Sequence, residues 1–206
     1  MIPSHWSARY LLDRARLFAY QWSHRDEPWI TPDAVALLHS ILSQDACVFE
    51  WGSGRSTLWT ARRVKSMISV EHDGDWFKKV QAQSANANLT NVAVWLRPDE
   101  SGYVSAIDGF QDETFDLVVV DGVSNWRADC SNRAIPKLKP AGYLMVDDVH
   151  RYLPSSSRAP LAIGPHEDPA TLAWAEFSGR VENWDRTWTS SGVTDTAFWR
   201  KPVCEV

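Results

Sequence analysis

Cysteine is scarce and poorly placed for either of its structural uses. Cys47, Cys130 and Cys204 are odd in number and widely scattered, which argues against a disulfide scaffold and offers no zinc-ligand spacing; each reads as a small buried filler in a reducing, cytoplasmic setting. No apolar run approaches the roughly 20 residues of a membrane span, so no membrane partner is expected. The opening Met1-Ile-Pro-Ser-His-Trp6 lacks a basic stretch followed by an apolar core and does not read as a secretory signal. There is no block of Lys and Arg, and the net charge is -5, which disfavours nucleic acid as a main partner. Internal repeats and domain-splitting linkers are also lacking. The expectation is one domain over 1–206, with residues 1–45 as an N-terminal helical cap and 46–206 as the core. At 44% hydrophobic and 23% charged, the composition supports an ordinary buried core.

What the chain has in excess is tryptophan, 12 residues. Most are expected in the core or the floor of a pocket; an exposed fraction would suit a homodimer contact.

The stretch that organises the rest is Val48-Phe-Glu-Trp-Gly-Ser-Gly-Arg-Ser-Thr57. Val48, Phe49 and Trp51 suit a buried strand. Gly52 and Gly54 permit a sharp turn and close approach of a ligand to the backbone. Ser53, Ser56 and Thr57 place hydroxyls and exposed amides at the start of a helix. A second strand, Ser66-Met-Ile-Ser-Val-Glu71, ends in a carboxylate about 20 residues after Glu50, one strand–helix–strand unit, and an acid at that tip can accept both ribose hydroxyls. Together these describe a nucleoside-binding half-site.

The dinucleotide fingerprint asks for a third small residue, glycine or alanine, where this chain has Thr57. An acid, Glu50, also precedes the first glycine, where it would repel a pyrophosphate and favour a cationic amino acid group. A nicotinamide or flavin cofactor is disfavoured on both counts.

Before the turn, Leu11, Ala15, Phe18 and Trp22 recur at helical spacing and predict a helix over 5–23 packed through that stripe. His24–Pro28 is a polar break. Thr31, Pro32 and Asp33 open a second helix as cap, first residue and dipole partner. After Glu71, a helix from Trp76 to Asn86 leads to a third strand, 92–96. Asp99 beyond its tip is a candidate acceptor for an adenine amino group, or else a solvated loop acid. Phe115-Asp-Leu-Val-Val-Val-Asp-Gly122 is a strand buried on both faces. The run 137–142 reads as a turn, Tyr143–Asp148 as a fifth strand, 153–170 as a loop or lid, and 167–177 as a short helix. Strand-like runs at 180–188 and 194–200 form a closing hairpin. The predicted class is α/β: a doubly wound, seven-stranded Rossmann-like sheet with N-terminal helices and a C-terminal antiparallel hairpin.

Taken in order, these segments resemble the class I S-adenosylmethionine (SAM) methyltransferases over about residues 29–202. Phe49-Glu-Trp-Gly-Ser-Gly-Arg-Ser-Thr-Leu-Trp59 is similar to their motif I, in a bacterial subgroup of small methyltransferase-like proteins. The resemblance implies that Glu50, Gly52, Ser53, Gly54 and Ser56 hold the methionine part of SAM, that Glu71 with His72 alongside holds the ribose, and that Asp121 faces the sulfonium or the acceptor. O-methylation of a small hydroxylated or sugar-like acceptor follows from the acid-rich edge and the lack of a basic surface. Asp121, Asp147 and Asp148 at neighbouring strand tips are similar to the acid set of metal-dependent O-methyltransferases and could share Mg2+; Asp148 departs from the Asn some members carry. In the competing reading, one acid caps a loop and another holds Arg127 or Arg151. His150 is the metal-free candidate base, with Asp121 and Asp147 as the other catalytic candidates. A non-catalytic SAM-fold scaffold and an NAD(P)-dependent reductase are the alternatives.

Overall fold

The computed structural model describes residues 7–203; Cys204 and the first six residues lie outside it. Seven strands form one sheet in the order β3-β2-β1-β4-β5-β7-β6. These are β1 (Cys47–Trp51), β2 (Ser66–Glu71), β3 (Val92–Leu96), β4 (Phe115–Val120), β5 (Leu138–Asp147), β6 (Asp185–Ser190) and β7 (Asp195–Arg200). The first five are parallel, and β7 enters antiparallel between β5 and β6. The strand order reverses between β1 and β4, the switch point where α/β sheets open a ligand crevice. The predicted class and closing hairpin are therefore observed.

The helices are α1 (Ala8–Ser23), α2 (Pro32–Ile41), α3 (Arg55–Ala61), α4 (Gly74–Asn86), α5 (Glu100–Val104), α6 (Arg127–Lys137) and α7 (Leu172–Arg180). Side-chain alternation along the central strands sorts the core into two layers. Val48, Leu117, Val119 and Met145 meet Ile30, Val35, Leu38 and Trp59 on one face. Phe49, Trp51, Val118 and Val120 meet Tyr103, Ala128, Trp174 and Phe177 on the other.

Three expectations are corrected. The stripe predicted to bury α1 faces outward: Leu11, Phe18 and Trp22 are 48%, 65% and 63% exposed, while Tyr10 and Leu17 are buried. Phe18 and Trp22 stack on one another instead, their ring centroids 6.2 Å apart. The 137–142 turn is also not a break. β5 begins at Leu138, pairs with Phe115, and absorbs a register shift before continuing at Tyr143. The helix expected at 167–177 lies later, because Thr171 supplies the N-cap and accepts from Trp174 N.

Candidate functional site

β1 and β2 run in register, Glu50 beside Ser69 and Trp51 beside Val70. After Trp51 the chain reverses at Gly52, whose φ is +96. Its N–H donates to Val70 O at 2.9 Å, and Asp121 N–H returns to Trp51 O at 2.9 Å, so the turn is stitched to both neighbouring strands. A side chain at Gly52 would stand 2.7 Å from the Asp121 carbonyl and from Gly122 Cα. Only glycine satisfies both the backbone angle and that approach. Gly54 is different: a Cβ there would meet only Trp76 Nε1, at 3.8 Å, so its face is open.

The two acids of the half-site divide the work. Glu50 is fully buried. Its position on β1 aims it at the first turn of α3, where Ser56 Oγ and Thr57 Oγ1 donate at 2.6 and 2.5 Å, while Ser69 Oγ donates at 2.6 Å from β2. Thr57 Oγ1 in turn accepts from Gly54 N at 2.8 Å. Burial raises the Glu50 carboxyl to about 7, against the pull of these hydroxyls. The expectation that Glu50 meets a ligand is therefore corrected. It does not reach the cavity wall, because three hydroxyls hold it beneath the turn as a clamp. Ser56 is on the wall, with its hydroxyl turned down to Glu50.

Glu71 does face the cavity. One oxygen accepts from Ser53 N at 3.1 Å and Ser53 Oγ at 2.8 Å; the other accepts from His72 N, Asp73 N and His72 Nδ1 at 2.8, 2.9 and 2.8 Å. This donor shell joins the glycine turn to the β2 tip and holds the carboxylate at the mouth of the switch point. His72, Gly52, Ser53, Gly54 and Asp121 share the same wall. Asp99 does not. It caps α5, accepting Gly102 N at 2.8 Å, and is exposed away from the cavity. Its short side chain is spent on the helix start.

The acid edge beyond β4 and β5 is organised by a guanidinium. Arg127 is buried; it donates to Gly122 O at 3.0 Å, to Asp147 O at 2.5 Å and to Asp121 Oδ1 at 3.1 Å. Asp147 stands beside Thr196 of β7 and accepts its hydroxyl at 2.6 Å. Asp148, with φ 53, accepts Thr194 Oγ1 at 2.6 Å and lies 3.8 Å from Arg151. Among the described residues no group of three His, Cys, Asp or Glu side chains has metal-binding geometry. The proposed Mg2+ set of Asp121, Asp147 and Asp148 thus does not converge on a cation: one oxygen of each is turned to a different partner, Arg127, Thr196 and Thr194 respectively. The reading in which these acids hold Arg127 and cap a loop is the one observed.

The base candidates separate as well. His150 is buried, and its Nδ1 accepts Asp195 N at 3.3 Å. Burial lowers its pKa. His150 and Asp147 are both off the cavity wall, leaving Asp121 as the catalytic candidate that faces it. Burial raises Asp121 to about 6, with Arg127 opposing and Asp148 adding to the rise.

The cavity measures about 960 Å³, at the upper end of the range for small-ligand sites. Its outer half comes from elements that sequence reasoning did not assign to a site. Arg25 and Trp29 enter from the α1–α2 connection, Arg55 and Arg62 from either end of α3, and Trp76 and Lys79 from α4. Trp76 Nε1 donates to Ser53 O at 2.6 Å, closing one side of the glycine turn. The tryptophan excess was the available signal for Trp29 and Trp76, but it carried no positions.

A glycine turn and a cavity-facing acid stand at adjacent tips of a doubly wound sheet, at its switch point. Residues 49–149, about half of the chain, match the family described as a methyltransferase domain, within the sheet order above. No curated protein matches the chain. Among solved structures it is similar to the O-methyltransferase TomG from Streptomyces achromogenes, involved in tomaymycin synthesis and solved with SAM (18% identity, TM-score 0.61, 98% of this chain and 99% of that one). It is also similar to a protein from Corynebacterium glutamicum (13%, 0.63, 94% and 91%) and to an rRNA methylase from Streptococcus thermophilus (11%, 0.55, 82% and 93%). At these identities the likeness is one of fold.

Proposed function

We propose that the protein transfers a methyl group from SAM to a hydroxyl of a small, hydroxylated or sugar-like acceptor. The carrying observation is the single cavity that joins Glu71, the Gly52–Gly54 turn and Asp121. The open face at Gly54 and the carboxylate held at the β2 tip fit a nucleoside with an amino acid tail. Glu71 and His72 would hold the ribose; Ser53, Gly54 and Ser56 would lie along the methionine part. Bound there, SAM supplies an electrophilic methyl on a sulfonium, whose departure leaves a neutral thioether.

The chain's own task is alignment and proton removal. Asp121 lies beside the turn, and a pKa of about 6 leaves it ionised near neutrality yet basic enough to accept a proton. It takes the acceptor's hydroxyl proton as that oxygen forms its new bond to carbon. Arg127 keeps Asp121 pointed at the cavity and balances its charge. TomG supports the choice of oxygen as acceptor atom; the rRNA methylase shows that the same fold can serve RNA, so the small acceptor rests on this chain's charge and cavity.

The test is transfer of labelled methyl from SAM to a panel of hydroxylated sugars, sugar acids and sugar phosphates, run with and without EDTA. Label in a product, unchanged by EDTA and lost in Asp121→Asn, is the expected result. Label found only in added RNA would overturn the small-acceptor reading.

A further inference from the structure

The outer half of the cavity carries a charge pattern that the cofactor reading does not use. Arg25, Arg55, Arg62 and Lys79 all line it. Among the described residues none of the four has an ion pair within 4.0 Å, although the chain as a whole carries -5. Three are held by aromatic faces rather than by acids: the Arg25 and Arg55 guanidinium groups lie 3.7 and 4.6 Å from the Trp22 and Trp29 ring centres, and Lys79 Nζ 3.9 Å from that of Trp76. Arg55 also donates to the backbone carbonyl of Arg25.

The acids on the same wall are mostly spent. Glu71 has its donor shell, Asp121 has Arg127, and Asp73 caps α4 by accepting Asp75 N and Trp76 N at 3.0 and 2.7 Å. Asp26, exposed at the rim, is the remaining negative group. The cavity is therefore polarised, with an inner end of satisfied carboxylates and an outer end of cations without ion pairs, three of them over tryptophan rings.

We propose that this rim is the subsite for an anionic group on the methyl acceptor, so that the acceptor is a small hydroxylated metabolite bearing a phosphate or carboxylate. The proposal rests on the cofactor reading above for its placement beside the SAM site. A cavity of this volume has room for both molecules, and cations pre-oriented on indole rings lose little freedom on pairing with an anion.

The experiment is calorimetric titration of the S-adenosylhomocysteine-saturated protein with sodium pyrophosphate and, separately, citrate. Each is repeated on the Arg62→Gln/Lys79→Gln double variant and without S-adenosylhomocysteine. Both exchanges are at solvent-facing positions and leave the fold intact, which a matching thermal melt verifies. The expected result is salt-sensitive anion binding that weakens about tenfold in the double variant, while affinity for S-adenosylhomocysteine stays unchanged. Tighter pyrophosphate than citrate assigns the group as phosphate, and the reverse as carboxylate. Equal anion binding by both proteins, no anion binding, or displacement of S-adenosylhomocysteine by the anion would each overturn the proposal; in the last case the cations serve the cofactor's own carboxylate. If S-adenosylhomocysteine binds neither protein, the cofactor reading falls, and the titration without it still decides whether the rim binds anions.

Discussion

Two strands of the sheet, β2 and β5, end in acids, and the acids do opposite things. At the β2 tip, Glu71 accepts from main-chain N–H groups, Ser53 Oγ and His72 Nδ1, yet remains on the cavity wall. At the β5 tip, the Asp147 and Asp148 carboxylates are taken up by hydroxyls of the antiparallel hairpin, and neither reaches the cavity. The difference comes from the neighbours. β2 is flanked by parallel strands whose tips end at the same level, so its terminal side chain looks into the crevice. β5 is flanked by β7, which carries Thr196 beside the tip, with Thr194 in the turn just before it. An acid at a strand end becomes a ligand group or a scaffold group according to whether an adjacent strand arrives there with donors.

The largest break in that contrast is expected from Arg127→Met. It leaves the partly buried Asp121 without its ion-pair partner and the buried Asp147 without the nearby charge that opposes its burial, a change that costs about 3–5 kcal/mol when one member of a buried charge set is removed. Urea denaturation at neutral pH reads this directly, and a loss under 1 kcal/mol, of the order of an ordinary exposed pair, would mean the edge is not held by charge.

Next is Glu71→Ala, which removes a charged acceptor from the cavity. Affinity for S-adenosylhomocysteine should fall about a hundredfold, the effect of losing two hydrogen bonds to a charged group. The edge comparison sharpens if Asp147→Asn leaves that affinity unchanged.

Glu50 supplies a pH test. Its carboxyl sits at about 7 in the fold against an ordinary 4.5, so between those values the folded protein holds a proton the unfolded chain has released. Unfolding free energy should therefore fall as pH rises from about 4.5 to about 7, by about 3 kcal/mol from this group. Asp121 and Asp147 are raised in the same direction. Stability curves from acid to neutral pH should slope less steeply in Glu50→Gln. The smallest effect is Thr196→Val, expected to cost about 1–2 kcal/mol by leaving Asp147 Oδ1 unpaired, with no change in cofactor affinity.

The sequence carried the sheet, the glycine turn and Glu71 because each has a local signature: an apolar run, a residue able to take a positive φ, an acid one strand–helix–strand unit downstream. It did not carry the fate of Glu50, which depends on Ser69 standing beside it in register. Nor did it carry the β5 acids, whose partners lie 46 and 49 residues away in a hairpin. The outward face of α1 was misread for a related reason. Periodicity shows that a stripe exists but not which stripe the domain covers, and Tyr10 and Leu17 are the residues that pack. Arg25, Arg55, Arg62 and Lys79 come from three separate segments, so no spacing links them.

The most direct measurement is calorimetric titration of the full chain with S-adenosylhomocysteine, with NAD as control, on the native protein and on Glu71→Ala, alongside circular dichroism of the variant. Micromolar binding of S-adenosylhomocysteine alone, lost in a folded Glu71→Ala, is the predicted result. Binding of NAD instead, or S-adenosylhomocysteine binding indifferent to Glu71, would contradict the assignment of the β2 tip as the cofactor's anchor.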